Sequence, residues 1–163
     1  MKSRWIQSIG VLGALALLVS CASEGGQPDG EAQPPAGEED AALPNACPQE
    51  GCRVSISAAE QVGDELELTL DANFEPDLAR NHFHVYWDTY DAEQVSDDAE
   101  RRFGVTQGDW VPTDENPYRT GDAASMRERS GSMAICVTAG DGDHNVIDPE
   151  IAECFDVTGF VDS

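Results

Sequence analysis

The run Asp64-Glu65-Leu66-Glu67-Leu68-Thr69-Leu70-Asp71-Ala72-Asn73-Phe74 alternates without a break. Leu66, Leu68, Leu70, Ala72 and Phe74 fall on one parity, while Glu65, Glu67, Thr69 and Asp71 fall on the other. Successive side chains of a strand point to opposite faces, so this is a strand with one buried and one wet face, as antiparallel sheets have. The same period runs on either side of it. Val54, Ile56 and Ala58 mark a shorter strand before it. After it, Phe83, Val85 and Trp87 alternate with His82, His84, Tyr86 and Asp88, so the histidines are expected on the outward face. Met133, Ile135, Val137 and Ala139 alternate with Ala134, Cys136 and Thr138, and near the end Phe155 and Val157 alternate with Cys154, Asp156 and Thr158.

The middle of the chain carries no such period. Residues 91–102 read as a short helix, with Asp91 as N-cap and Gln94 three residues on. Residues 103–112 allow a short edge strand, and residues 123–129 a strand or a helical turn. Short strands, turn-rich connections and no sustained helical period predict an all-β fold, an antiparallel two-sheet sandwich. With Trp87 buried in the third clear strand, it resembles the immunoglobulin-like architecture. The inter-sheet cysteine pair of antibody domains is missing, because the strand around Leu68 has no cysteine. The resemblance concerns architecture and carries no function with it.

The chain begins Met1-Lys2-Ser3-Arg4 and then runs apolar through Leu12 to Val19. That core is shorter than the roughly 20 residues a membrane span needs, and with its charged start it reads as an export signal. Its end, Leu18-Val19-Ser20-Cys21, resembles the lipobox of bacterial lipoproteins. The resemblance covers only the first 21 residues. It implies a signal peptide over 1–20, removed on lipidation of Cys21, and durable membrane anchoring by several acyl chains (palmitate among them). Ala22 follows the cysteine in place of the aspartate that retains such proteins at the inner membrane. The resemblance therefore implies the outer membrane in a Gram-negative cell envelope. Over 21–46 the lipidated cysteine opens a disordered acidic tether rich in Gly and Pro, which leaves 47–163 as one folded domain.

The chain has 9 basic and 32 acidic residues, a formal net charge of −23. Losing Lys2 and Arg4 with the signal takes −23 to −25 and removes the only lysine. Such acidity excludes nucleic acid and anionic membrane surfaces as partners. It reads either as the lysine-poor surface of a salt-adapted protein or as a lure for cations or a basic partner. Cys47, Cys52, Cys136 and Cys154 remain after Cys21, an even set that reads as two disulfides in an exported domain. The expected pairing is Cys47–Cys52, closing a small loop around Pro48 and Gly51, with Cys136–Cys154 bridging two outward strand positions.

Three histidines are present. His82 and His84 share one face of a strand, and His144 lies in Gly140-Asp141-Gly142-Asp143-His144-Asn145. In a sandwich of this topology the start of the Trp87 strand and the connection after Ala139 lie at the same end, which makes His82 and His144 neighbours. A His-x-His pair joined by a distant third histidine is a donor set for zinc or copper. Asp141, Asp143, Asn145 and Asp148 are spaced like the first ligands of a calcium loop. Val146 replaces its glycine, and Ala152 its closing glutamate. Neither a nucleophile elbow nor a phosphate or dinucleotide loop occurs.

These features favour a non-enzymatic cell-envelope lipoprotein, a β-sandwich module with a surface binding or structural role toward an unknown protein or surface ligand. The alternative is a zinc- or copper-binding protein, carrier or hydrolytic, using His82, His84 and His144. Calcium-dependent adhesion through Asp141, Asp143, Asn145 and Asp148 ranks third. The anchor has a direct test: Cys21→Ala should move the protein from the membrane pellet to the soluble exported fraction, as cell fractionation would show. A variant that stays in the pellet would remove the lipid anchor.

Overall fold

A computed structural model describes residues 45–161; the signal peptide, Cys21 and the tether before Asn45 lie outside the described residues. The strands are β1 (Val54–Val62), β2 (Glu65–Ala72), β3 (His82–Trp87), β4 (Val111–Thr113), β5 (Tyr118–Arg119), β6 (Ala134–Gly140) and β7 (Glu153–Asp156). They form two antiparallel sheets, ordered β1-β2-β5 and β4-β3-β6-β7. This is the two-sheet antiparallel sandwich expected, with strands one, two and five in one sheet and the rest in the other. No helix among the described residues is long and apolar enough to cross a membrane.

The core lies between the sheets. Leu66, Leu68 and Leu70 of β2 meet Phe83, Val85 and Trp87 of β3 and Ile135, Val137 and Ala139 of β6. Trp87 also donates its indole N–H to the Ser125 carbonyl at 3.2 Å, which satisfies its one polar atom inside the core. Both expected disulfides are formed, Cys47–Cys52 and Cys136–Cys154. The second joins residues directly opposite each other on β6 and β7. Bridges of this kind belong to an oxidising, non-cytoplasmic compartment.

Four local expectations change. β1 runs on to Val62, and a bulge between Ile56 and Ala58 flips its parity. Ala59 then packs on the core while Ala58 faces out, because an extra residue reverses every side chain beyond it. Met133 precedes β6 and is 39 % exposed rather than buried. Glu65, expected on the wet face, accepts bonds from Ser125 Oγ (2.6 Å), Thr120 Oγ1 (2.8 Å) and Met126 N (2.9 Å). Burial opposes its charge, but these bonds outweigh burial and hold the carboxyl below its usual range.

The fourth change matters most for function. Residues 91–102 form no continuous helix but two 3-10 turns, Ala92–Gln94 and Asp97–Ala99, and a single helical turn α1 (Glu100–Phe103). Asp91 does cap the first turn, its N–H donating to Gln94 Oε1 at 2.8 Å. This segment lies over the outward face of β3 and β6, where Ala92, Val95, Val105 and Trp110 bury Tyr86 and Cys136 in a second apolar cluster. All six residues of β3 are buried as a result, so the face expected to be wet is dry. The central position of β2 sets the stability of the main core. Leu68→Ala should lower the unfolding free energy by about 3 kcal/mol, measured by urea unfolding, whereas Thr69→Ala on the exposed face should change it little.

Candidate metal centre

β3 places His82 and His84 two residues apart, so both rings leave the same face, and both are 0 % exposed. β6 runs beside β3 with Gly140 opposite His82. A side chain at 140 is impossible without displacement, since its Cβ would fall 2.1 Å from His84 Nε2. Glycine there opens the space that the His84 ring fills. Beyond Gly140 the chain turns back, and Gly142 lets this loop approach the β2–β3 connection, where a Cβ would meet the Ala79 carbonyl oxygen at 2.6 Å. His144 sits in the turn at φ 58°, a left-handed conformation uncommon for a residue with a side chain. Its N–H donates to Asp141 O (2.9 Å) and its carbonyl accepts from Asp97 N (3.0 Å), which fixes it there.

The three rings converge. His82 Nε2 lies 3.1 Å from His84 Nε2 and 2.9 Å from His144 Nδ1. His84 Nδ1 lies 2.7 Å from the Val95 carbonyl oxygen. A carbonyl only accepts, so Nδ1 carries the proton and His84 Nε2 presents a bare lone pair. His82 Nε2 then faces two nitrogens, but a ring nitrogen either donates one proton or accepts one. If it donates to His84, it cannot accept from His144. If it accepts from His144, two lone pairs meet at 3.1 Å. No placement of protons gives two linear hydrogen bonds. A cation shared by the lone pairs removes the conflict.

One donor atom from each histidine lies within 4.8 Å of the others, and this is the only such group of His, Cys, Asp or Glu among the described residues. Two nitrogens on one zinc ion sit about 3.3 Å apart in tetrahedral geometry and at most about 4.2 Å apart. The two short separations lie just below that value, so a shared ion would need those pairs to part slightly and the widest pair to close. His144, half-buried on a loop, is the ring with room to move.

The surroundings suit neutral donors. Burial, and after it the neighbouring His144, lowers the His82 pKa. Burial, with His82 next in effect, lowers that of His84 to about 3. Both rings are therefore unprotonated at neutral pH. His82 Nδ1 has no hydrogen-bond partner among the described residues. Trp110, fully buried, stacks on His84 with ring centroids 4.2 Å apart. Its indole nitrogen and the hydroxyl of Thr138, which pairs with His84 across the sheet, have no partner among the described residues.

The other expected ligands are engaged elsewhere. Asp141 Oδ1 accepts from the backbone N–H groups of Asp143 and Asn145, both at 2.9 Å. Asn145 Oδ1 accepts from Asp98 N at 3.1 Å, and Asp148 Oδ1 caps the turn at Pro149–Ile151 through Glu150 N at 3.0 Å. Asp143 is exposed. These groups shape the loop that carries His144 and do not gather around a common point. Sequence reasoning did not connect Val95, Trp110 or Gly140 with the histidines. Only the glycine carried a signal, as a residue without a side chain across the sheet from His82.

Compared with known proteins, the chain matches no family model, no curated protein and no solved structure, so the function is argued from the site itself. The buried rings have a consequence for the metal-free protein. The folded pKa of His84 lies below its ordinary value of 6.5, so the unfolded chain takes up the proton first on acidification. Stability should be unaffected by this group above pH 6.5 and fall by a few kcal/mol as pH drops from there toward 3. Urea unfolding of EDTA-treated protein at several pH values should show this slope, shallower in His84→Gln; equal slopes would mean that His84 is not buried neutral.

Proposed function

We propose that this protein is a non-enzymatic envelope lipoprotein whose β-sandwich holds one transition-metal ion, zinc or copper, through His82, His84 and His144. The observation that carries the reading is the meeting of ring nitrogens at 2.9 and 3.1 Å with no consistent arrangement of protons between them. Imidazole nitrogens are donors for both metals. Outer contacts of the kind that orient metal-bound histidines are also in place, above all the Val95 carbonyl on His84 Nδ1 at 2.7 Å. The acidic chain favours the approach of cations, and an anchor at Cys21 would keep the domain at the membrane surface, outside the cytoplasm.

A second reading has its own observation. A groove of about 530 Å³ runs beside the Cys136–Cys154 bridge; its lining includes Tyr86, Tyr90, Asp88, Asp91 and Glu150, and Arg102, whose guanidinium lies 4.4 Å over the Phe103 ring. Aromatic rings among acids that outnumber the one arginine suit a cationic ligand, which fits a binding module rather than a metal carrier.

Metal analysis separates the two. Purified with its disulfides intact and loaded with zinc or copper, the protein should retain one ion per chain after desalting. His82→Ala or His144→Ala should weaken binding by at least about 100-fold, as should Gly140→Ala, which keeps all three histidines but displaces the His84 ring. Retention of no ion by the unmutated chain, with no thermal shift on adding either metal, would leave the groove as the functional surface.

A further inference from the structure

The trio distinguishes between the two metals, and we infer that it selects copper in the monovalent state, held by three imidazoles. The inference rests on the metal-binding reading and specifies its cation. The donor group contains three imidazole nitrogens and no thiolate or carboxylate. Both pairs of domain cysteines are oxidised, so no thiolate can be recruited from them. Asp141 acts on both His82 and His84, and Asp114 on His82, as charges at a distance; neither belongs to the donor group.

Charge and coordination number then decide. The cost of moving an ion out of water rises with the square of its charge. A divalent ion between two fully buried rings, with no anionic ligand to offset it, therefore costs about four times as much as a monovalent one. Zinc also requires a fourth ligand, which the protein side chains of this group do not supply. Cuprous copper accepts three nitrogens in a plane. Trp110 stacked on His84 excludes water from one side of the centre, and the segment containing Val95 covers it. Should copper arrive as the divalent ion, nitrogen sites still rank it above zinc. Copper is thus the favoured occupant in either oxidation state, and the three-nitrogen environment, fully buried at His82 and His84, favours the monovalent form.

The test is a competition titration of the purified full chain without oxygen. A chromophoric cuprous chelator is used for copper and a zinc-responsive dye for zinc. Ascorbate keeps copper monovalent and, unlike a thiol, leaves Cys47–Cys52 and Cys136–Cys154 oxidised. The expected result is one cuprous ion per chain, bound at least about 100-fold more tightly than zinc, with X-ray absorption showing three nitrogen neighbours and no fourth ligand. The comparison uses the unmutated chain, so it does not depend on any variant folding; His82→Gln and His144→Gln, checked by circular dichroism, should then lose the copper. Zinc bound as tightly as cuprous copper, or a fourth ligand on copper, would overturn the inference and leave the metal reading standing. Neither metal bound would overturn both.

Discussion

One hydrogen bond ties the outer layer of this protein to its sheet: His84 Nδ1–H to the Val95 carbonyl, at 2.7 Å and fully buried. In a continuous helix through residues 91–102 that carbonyl would accept from the backbone four residues on, and the N–H of Asp97 would donate four residues back. Here the first goes to His84 and the second to the His144 carbonyl. The helix breaks where its backbone is given to the two histidines. Val95 stays pressed on Tyr86, Cys136 and Trp110, and the sheet face beneath is sealed. The same bond fixes the tautomer of His84 and so turns its other nitrogen, as a lone pair, toward His82.

That economy explains how a small acidic domain buries two polar rings and half-buries a third. A buried polar group without partners is costly, and the cost is usually met by hydrogen bonds. The trio meets it only in part, since one of its two ring-to-ring contacts has no proton to complete it. Sites that leave local rules unsatisfied while the surroundings hold them rigidly are where function concentrates. His144 fits the same pattern, kept in a left-handed conformation by bonds to both its N–H and its carbonyl.

Much of this was legible in the residues. The alternation from Glu65 to Ala72 defines a strand with its leucines inward, and the parity of Phe83, Val85 and Trp87 against His82, His84 and Tyr86 is the one observed. The Cys136–Cys154 bridge followed from strand parity, Cys47–Cys52 from the small loop it closes, and the meeting of His82 with His144 from the end of the sandwich at which loops gather. What stayed hidden has a common cause. Periodicity tells which side chains share a face but not what lies over that face, so the burial of His82, His84 and Tyr86 under residues 91–110 could not be read from β3. The two-residue strand β5 is too short to show a period, and it is completed by Asn116, whose side chain bonds both backbone groups of Leu70. The bulge in β1 leaves no mark on composition.

The bridge between Cys136 and Cys154 has a topological meaning as well. These residues bracket Gly140, the turn and His144, so the whole histidine-bearing loop belongs to a covalent ring closed on β6. When the outer layer opens in local fluctuations, that loop cannot drift away from the strand. Its imidazole is kept at a high effective concentration next to His82, as the second arm of a chelating agent is kept near the first. Reassembly of the trio is then a short diffusive search on a leash, and much of its entropic cost was met when the disulfide formed.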